Sequence, residues 1–435
     1  MTASKREKQL FTVGRIFFLL IVIPLALVSV LLATSILKVG DVAEQSAVVV
    51  MDQKYQGSIK VRAIALADEV ASFLTERQDD LMVATILPTD GSVYKNFLEK
   101  KSRSIWEKRD GKLTRVLLPL YQEMALINPA GQEVIRVANG KVVPAKELRN
   151  VADIRNTEYL SEDYFAKSKK LNRGEIYISP LTGWYVDRTS FEKGKRFAGI
   201  YRIASPVFDR NGFAGVLVMT LDARHLMQMT DRIVPTQSDY VFEADPSTGN
   251  YAYMVDNRGF VISHPADYHV VGLDKAGKQV LPLTKENTAI KAKEGTEVLN
   301  LRLMGFIDAE LQKVALEAAA GKTGIRTYSF AGHTKLVAYA PIKFYCVGYS
   351  SPEGFGWIGM GVDVDKFNSL GADAAKQIRE ESRSWASTII VIIVISVLLL
   401  FGIAAILARG IMRSVNASVP EEAKNPLSED DEDEN

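Results

Sequence analysis

Residues 201–226 read YRIASPVFDRNGFAGVLVMTLDARHL, and the fold class turns on this stretch. Apolar residues crowd both halves, and Asp209-Arg210-Asn211-Gly212 between them is a tight-turn sequence. Two antiparallel strands are predicted. Alternation along the second puts Val216, Val218, Thr220 and Asp222 on one face, and Arg202, Ala204 and Pro206 share a face of the first. On the N-terminal side, GEIYISP (174–180) reads as another strand and SEDYFAKSKKL (161–171) as a short helix with Ser161 as its N-cap. MALINPAGQEVIRV (124–137) reads as a hairpin around Asn128-Pro129-Ala130-Gly131.

The second half repeats this grammar. YAYMVDNRGFVISHP (251–265) is a strand, an Asp256-Asn257-Arg258-Gly259 turn and a strand. IRTYSFAGHTKLVAYAPI (325–342) and GWIGMGVDV (356–364) follow a helical middle and read as strands joined by glycine-containing turns. The expected class is α+β, with two tandem antiparallel-sheet modules flanked by helices, at 91–235 and 236–365.

Ahead of the modules, no proline occurs from Val39 to Leu87, and Ile59, Ala63, Leu66, Val70 and Phe73 recur at alternating spacings of four and three. That is the seam of a long helix, expected over 38–90 as a stalk. After them, Phe367, Leu370, Ala374, Ile378 and Trp385 mark an amphipathic exit helix at 366–385, with Asp363 and Asp365 ending a strand and capping that helix.

Two uncharged runs bracket the whole, Ile16 to Leu37 and Ala386 to Ala408. A bilayer core of roughly 30 Å needs about 20 apolar residues in a helix, and both runs meet that length. The first is too long for the apolar region of a cleaved signal peptide. Lys5, Arg6, Lys8 and Arg15 precede the first run, and Arg409 and Arg413 follow the second, so both termini are expected in the cytoplasm. The segment between would then lie outside, in a periplasm or its equivalent, anchored in the inner (cell) membrane. A single cysteine, Cys346, allows no internal disulfide, and a net charge of +1 gives no reason to propose nucleic acid as a partner. The acidic end, Ser428 to Asn435, reads as a disordered tail.

Span, long helix, two PAS-like sheets, short helix and second span resemble the double Cache (dCache) sensor domains of bacterial chemoreceptors, histidine kinases and diguanylate cyclases. SEDYFAKSKKLNRGEIYISPL and YRIASPVFDRNGFAGVLVMTLDARHL look like the membrane-distal module, and YMVDNRGFVISHP like the opening hairpin of the membrane-proximal one. The distal stretch is most similar to the LuxQ-type subgroup. The resemblance implies a ligand-binding receptor, a homodimer, that signals across the membrane. Amino-acid-binding members place Arg-x-Trp-Tyr on the distal helix and an Asp on the last strand. Here the matching positions are Glu162-Asp163-Tyr164-Phe165 and Thr220, so an amino acid held in that manner is not expected. ARGIMRSV (408–415) looks like the entry to a HAMP signalling helix within 409–435. No kinase, cyclase or methyl-accepting sequence follows, which points to a cytoplasmic partner or to an output domain outside this sequence.

The densest polar and aromatic set is Tyr164, Tyr177, Trp184, Tyr185, Asp187, Arg202, Thr220 and Asp222, the candidate ligand-binding residues. If the two strand faces coincide, Arg202 and Asp222 would converge near the loop Gly183-Trp184-Tyr185. Four histidines without useful spacing give no metal site, and no motif for a cofactor, a nucleophile or a nucleotide is present. The expectation is a sensor of a small molecule or a periplasmic binding protein, not an enzyme. The alternative is an envelope scaffold with a vestigial pocket.

Overall fold

A computed structural model describes residues 3–418 apart from 110, 111, 238 and 242. The chain divides into two compact units, Gln53–Asn368 and Met1–Asp52 with Ser369–Asn435. Eight α-helices are described: α1 (Ala3–Thr85), α2 (Gly91–Glu99), α3 (Tyr164–Ser168), α4 (Arg188–Glu192), α5 (Arg224–Asp231), α6 (Thr288–Lys293), α7 (Ala309–Ala319) and α8 (Val364–Ser418).

The larger unit is α+β with antiparallel sheets. A hairpin of β1 (Ser102–Arg109) and β2 (Lys112–Pro119) precedes the first sheet. That sheet is built from β3 (Tyr121–Ile127), β4 (Glu133–Ala138), β5 (Lys141–Val142), β6 (Tyr177–Ile178), β7 (Thr182–Gly183), β8 (Gly199–Asp209) and β9 (Gly212–Asp222). Its order is β5-β4-β3-β9-β8-β6, with β7 also pairing β8. The second sheet, ordered β11-β10-β14-β13-β12, uses β10 (Tyr251–Asp256), β11 (Val261–Ser263), β12 (Gly324–Phe330), β13 (His333–Ile342) and β14 (Gly356–Asp363).

The turns form where their chemistry directs. Asp209 accepts the Asn211 N–H and Gly212 takes φ 114°, closing β8 on β9. Asp256 accepts the N–H groups of Arg258 and Phe260 around Gly259, at φ 91°. The last strand of each sheet also carries a comparable glycine, inside β9 and at the start of β14. Gly215 (φ 150°) and Gly356 (φ 147°) sit where a Cβ would run into the carbonyl oxygens of Ile127 and Val255 on the neighbouring strands.

One face of the first sheet, with Met124, Tyr201, Ile203, Leu217, Met219 and Leu221, belongs to the same apolar core as Ile59, Ala63, Leu66, Val70 and Phe73. The predicted seam of the long helix is therefore buried against the modules. The other face carries a separate small core of Ala125, Ile127, Ala204, Val216 and Val218 beneath Tyr164 and Phe165 of α3.

Three local expectations need correction. Helix α3 starts at Tyr164, not after Ser161. Leu160 turns the chain at φ 62° and the Ser161 hydroxyl donates to the Tyr159 carbonyl instead of capping. The strand expected over 174–180 shrinks to Tyr177–Ile178. The β1–β2 hairpin has no counterpart in the expected elements, although Asp110-Gly111 stands between its strands.

In the smaller unit, Leu19–Ala43 of α1 and Ala375–Ile411 of α8 are long and apolar enough to cross a membrane. A Cβ on Gly40 would lie 2.5 Å from Ser382 Oγ, so a small residue sits where the two helices approach, as in packed membrane helices. The side chains of 365–372 and 374, and residues 419–435 with the acidic tail, lie outside those described; the Asp365 cap and part of the amphipathic exit face fall there.

Candidate functional site

The register of the first sheet aligns Glu123 on β3, Thr220 on β9 and Arg202 on β8 as direct neighbours across three strands. Ala204 opposite Val218 and Pro206 opposite Val216 continue the same face, so the two predicted strand faces do coincide. Arg202 is 2% exposed. Its Nε donates to Glu162 at 2.6 Å, Nη1 to Glu123 at 2.9 Å and to Thr220 Oγ1 at 2.5 Å, and Nη2 to Glu158 at 3.2 Å. The guanidinium lies 5.2 Å from the centre of the Tyr164 ring. Behind it, Arg136 donates to Glu123 at 2.6 Å, with Glu133 3.9 Å away.

Four carboxylates thus surround two guanidiniums in a nearly dry setting. Burial pushes Glu123 up, but Arg202 and Arg136 outweigh it and hold its carboxyl below the ordinary value. Burial prevails at Glu133 and Glu158, whose carboxyls are raised. Arg202 is pulled down by burial and pushed further up by Glu123 and Glu162, so it stays charged. All three guanidinium nitrogens are engaged, so an incoming anion finds no unoccupied nitrogen there. The open flank is Glu158, whose side chain is 42% exposed.

The candidate residues separate into two groups, with Asp222 apart from both. Tyr164, Arg202 and Thr220 converge on the charged row, and Tyr177 joins the small core beside it, its hydroxyl donating to Asp163 at 3.2 Å. Burial raises both tyrosines. Asp222 does not meet Arg202. The β8–β9 register sets Asp222 opposite Ile200, two positions from Arg202, and Asp222 pairs instead with Arg224 at 2.6 Å and Gln122 at 3.0 Å. Arg224 in turn reaches Glu107 at 2.8 Å.

Trp184, Tyr185 and Asp187 serve the seam between the sheets. The Tyr185 N–H donates to the Leu273 carbonyl at 2.9 Å and the Leu273 N–H to Gly183 at 2.8 Å, a short parallel ladder. The Tyr185 hydroxyl, raised by burial, donates to Tyr268 O at 2.8 Å and accepts the Glu297 N–H at 2.9 Å. A Cβ at Gly272 would sit 2.7 Å from Tyr185 Cα, which is why a glycine faces this ladder. Trp184 packs on Tyr159 at 5.1 Å, and Asp187 caps α4 by accepting from Ser190, whose N–H holds its carboxyl low.

Glu123, Arg136, Glu158 and Glu162 were not among the candidates. A signal existed for one of them: in YQEMALI the lone charge Glu123 alternates with the buried Ala125 and Ile127, which marks a buried charge that must find a partner. Among the described residues no three His, Cys, Asp or Glu side chains group to hold a metal ion.

Several solved structures are similar at low identity, two chemoreceptor domains among them. The sensory domain of the Campylobacter jejuni chemoreceptor Tlp3 is 12% identical, covering 75% of this chain and 98% of that one, with a TM-score of 0.40. The ligand-binding domain of the Pseudomonas fluorescens chemoreceptor CtaA, solved with L-isoleucine, is 13% identical over 73% and 96%, with a TM-score of 0.39. A search of the curated proteins finds no match. Residues 43–365, most of the chain, match the dCache_1 family, described as a Cache domain, and the chain therefore belongs to the Cache domain family.

Proposed function

We propose that this chain is a membrane-anchored sensor whose Cache domain lies outside the cytoplasm and binds a small molecule in the first module. The observation that carries this is the buried row Glu123–Thr220–Arg202 with Glu158 and Glu162 beside it. A core built for stability alone gains little from desolvating so many charges, and such clusters concentrate at functional sites. Because Arg202 is saturated, the ligand that fits is a donor, an amine that meets Glu158 and competes for it with Arg202. No catalytic step is assigned.

Two apolar helices flanking the domain support anchoring, and the basic residues beside their outer ends support a cytoplasmic location for both termini. Loosening Arg202 would shift β8 and β9, whose opposite face shares a core with the seam of α1. The last strand of the second sheet, β14, runs directly into α8. A ligand transmits only if it prefers one of two arrangements of these elements.

The test is a thermal-shift titration of the full-length protein in nanodiscs with putrescine, spermidine, ethanolamine and histamine. At least one is expected to raise the melting temperature, and Glu158→Gln is expected to abolish that shift. No shift with any of them, or a shift that survives Glu158→Gln, refutes the reading.

A further inference from the structure

A cleft of about 580 Å³ opens between the β1–β2 hairpin, α5 and the loop at His264–Asp267, away from the face beneath α3. Its size is that of a small-molecule site. Ile105, Trp106, Phe197, Met227 and Pro265 supply apolar wall. Most of its charges cancel locally. Arg224 is held by Asp222 and Glu107, and Arg196 pairs with Glu243 at 3.0 Å.

Three groups are left over. Arg232 spends Nε on the Val241 carbonyl at 3.1 Å and lies 5.5 Å from the Trp106 ring, with no carboxylate in ion-pair range among the described residues. Asp267, 6% exposed, accepts the Phe197 N–H at 2.7 Å through Oδ2, while Oδ1 accepts nothing from the described residues. Asp231 accepts the Ser263 hydroxyl at 2.6 Å and also has no cationic partner among them. One cavity therefore holds an unpaired guanidinium and two carboxyls without cations.

We propose that this cleft is a second binding site, for a small zwitterion whose carboxylate meets Arg232 and whose ammonium meets Asp267 and Asp231, with its apolar body against Trp106. The two remaining Nη groups of Arg232 match a carboxylate fork, and an ammonium brings three donors to the carboxyl oxygens. The site goes beyond the amine site at Glu158 and does not depend on it.

The acid pair gives the site a pH signature. Burial pushes Asp231 up to about 8 and Asp267 up to about 6; the Ser263 hydroxyl and the Phe197 N–H offset this in part. Glu243 adds to both shifts, and Arg196 opposes that of Asp267. His264, at the back wall, is kept neutral by burial, and Arg224 and Glu107 neutralise each other. An ammonium favours the ionised carboxyls, so affinity rises as pH climbs through this range, and binding at pH 7 expels a proton.

Isothermal titration of the full-length protein in nanodiscs with 4-aminobutyrate, L-serine and β-alanine tests this, with butyrate and butylamine as singly charged controls. At least one zwitterion is expected to bind at least about tenfold tighter than either control, a difference of about 1.4 kcal/mol. Arg232→Gln and Asp267→Asn should each weaken it about tenfold or more; the amide oxygen of the second variant still accepts the Phe197 N–H, so the fold there is kept. Binding should be weaker at pH 5.5 than at pH 8, and its heat at pH 7 should vary with the buffer's ionisation enthalpy. The proposal is overturned if no zwitterion binds, if binding survives both substitutions or is independent of pH, or if Glu158→Gln removes it while Arg232→Gln does not.

Discussion

Arg202→Leu isolates the charged row. Without the guanidinium, Glu162 keeps only the Tyr159 N–H at 2.9 Å, while Glu123 keeps Arg136. Removing one partner of a buried pair costs about 3–5 kcal/mol, because the other charge stays desolvated. Such a loss lowers the melting temperature of a 150–250-residue unit by roughly 6–20 °C, and that of the larger unit Gln53–Asn368 by less. Glu162→Leu is expected to cost a similar amount, because it strips Arg202 of its 2.6 Å partner. The double variant removes both halves of the pair, so its cost should fall short of the sum by about 1–3 kcal/mol. Hydrogen exchange of the β8 and β9 amides under denaturant separates opening of the first module from that of the second. The pH dependence has a definite sign. Glu123 is held low in the folded protein, so its contribution is present above the unfolded carboxyl value of about 4.3 and is lost as pH falls through the folded one. With Arg202 gone only Arg136 opposes burial at Glu123, so the gap between wild type and variant is full at pH 7 and narrows in acid. Costs that add to within about 0.5 kcal/mol would show that Arg202 and Glu162 are not coupled, and the account of the row would fail.

Lys335 carries a second stability prediction. Its Nζ donates to the Tyr251 hydroxyl at 2.6 Å inside the second module, and burial pulls it down to about 7, with Asp363 opposing. The unfolded chain holds this proton up to about pH 10.4, so wild-type stability should rise between about pH 7 and 10, by at most about 1.4 kcal/mol per unit. Lys335→Met should remove that rise and stabilise the protein at pH 7; equal slopes for the two proteins in urea melts would contradict it. A reporter enzyme fused within 121–235 should be active only outside the cytoplasm, and activity in the cytosol would overturn the topology.

What could be read from the sequence was local. Turn residues at Asp209–Gly212 and Asp256–Gly259 act within four positions, and strand alternation needs only its own strand, so hairpins and faces were legible. The carboxylate partners of Arg202 were not. Glu123 reaches it because β9 lies between β3 and β8, and that order is set by long-range pairing. The β8–β9 register that sets Asp222 opposite Ile200, away from Arg202, leaves no mark in composition. Gly183-Trp184-Tyr185 has the look of a pocket wall, yet it pairs with Leu273, a distant stretch that no local pattern connects to it. The β1–β2 hairpin escaped because SRSIWEKR and KLTRVLLP mix charge with apolar residues too evenly to show a buried face.

The two sheets share a construction but are filled differently. Both carry in their last strand a glycine under a neighbour's carbonyl, Gly215 and Gly356. In the first, the inner face holds Arg202 among carboxylates, an arrangement whose energy changes steeply when one charge arrives or leaves. In the second, Tyr253 packs edge to face on both Tyr251 and Trp357, with Tyr328 in the same core. Close-packed interiors transmit strain and deform little. Every residue of β14 is buried in that block, and α8 begins at the next position. Under the sensor reading, the first module is the part that can change state and the second is the part that must not yield, so that a displacement reaching β14 passes into α8 without being absorbed.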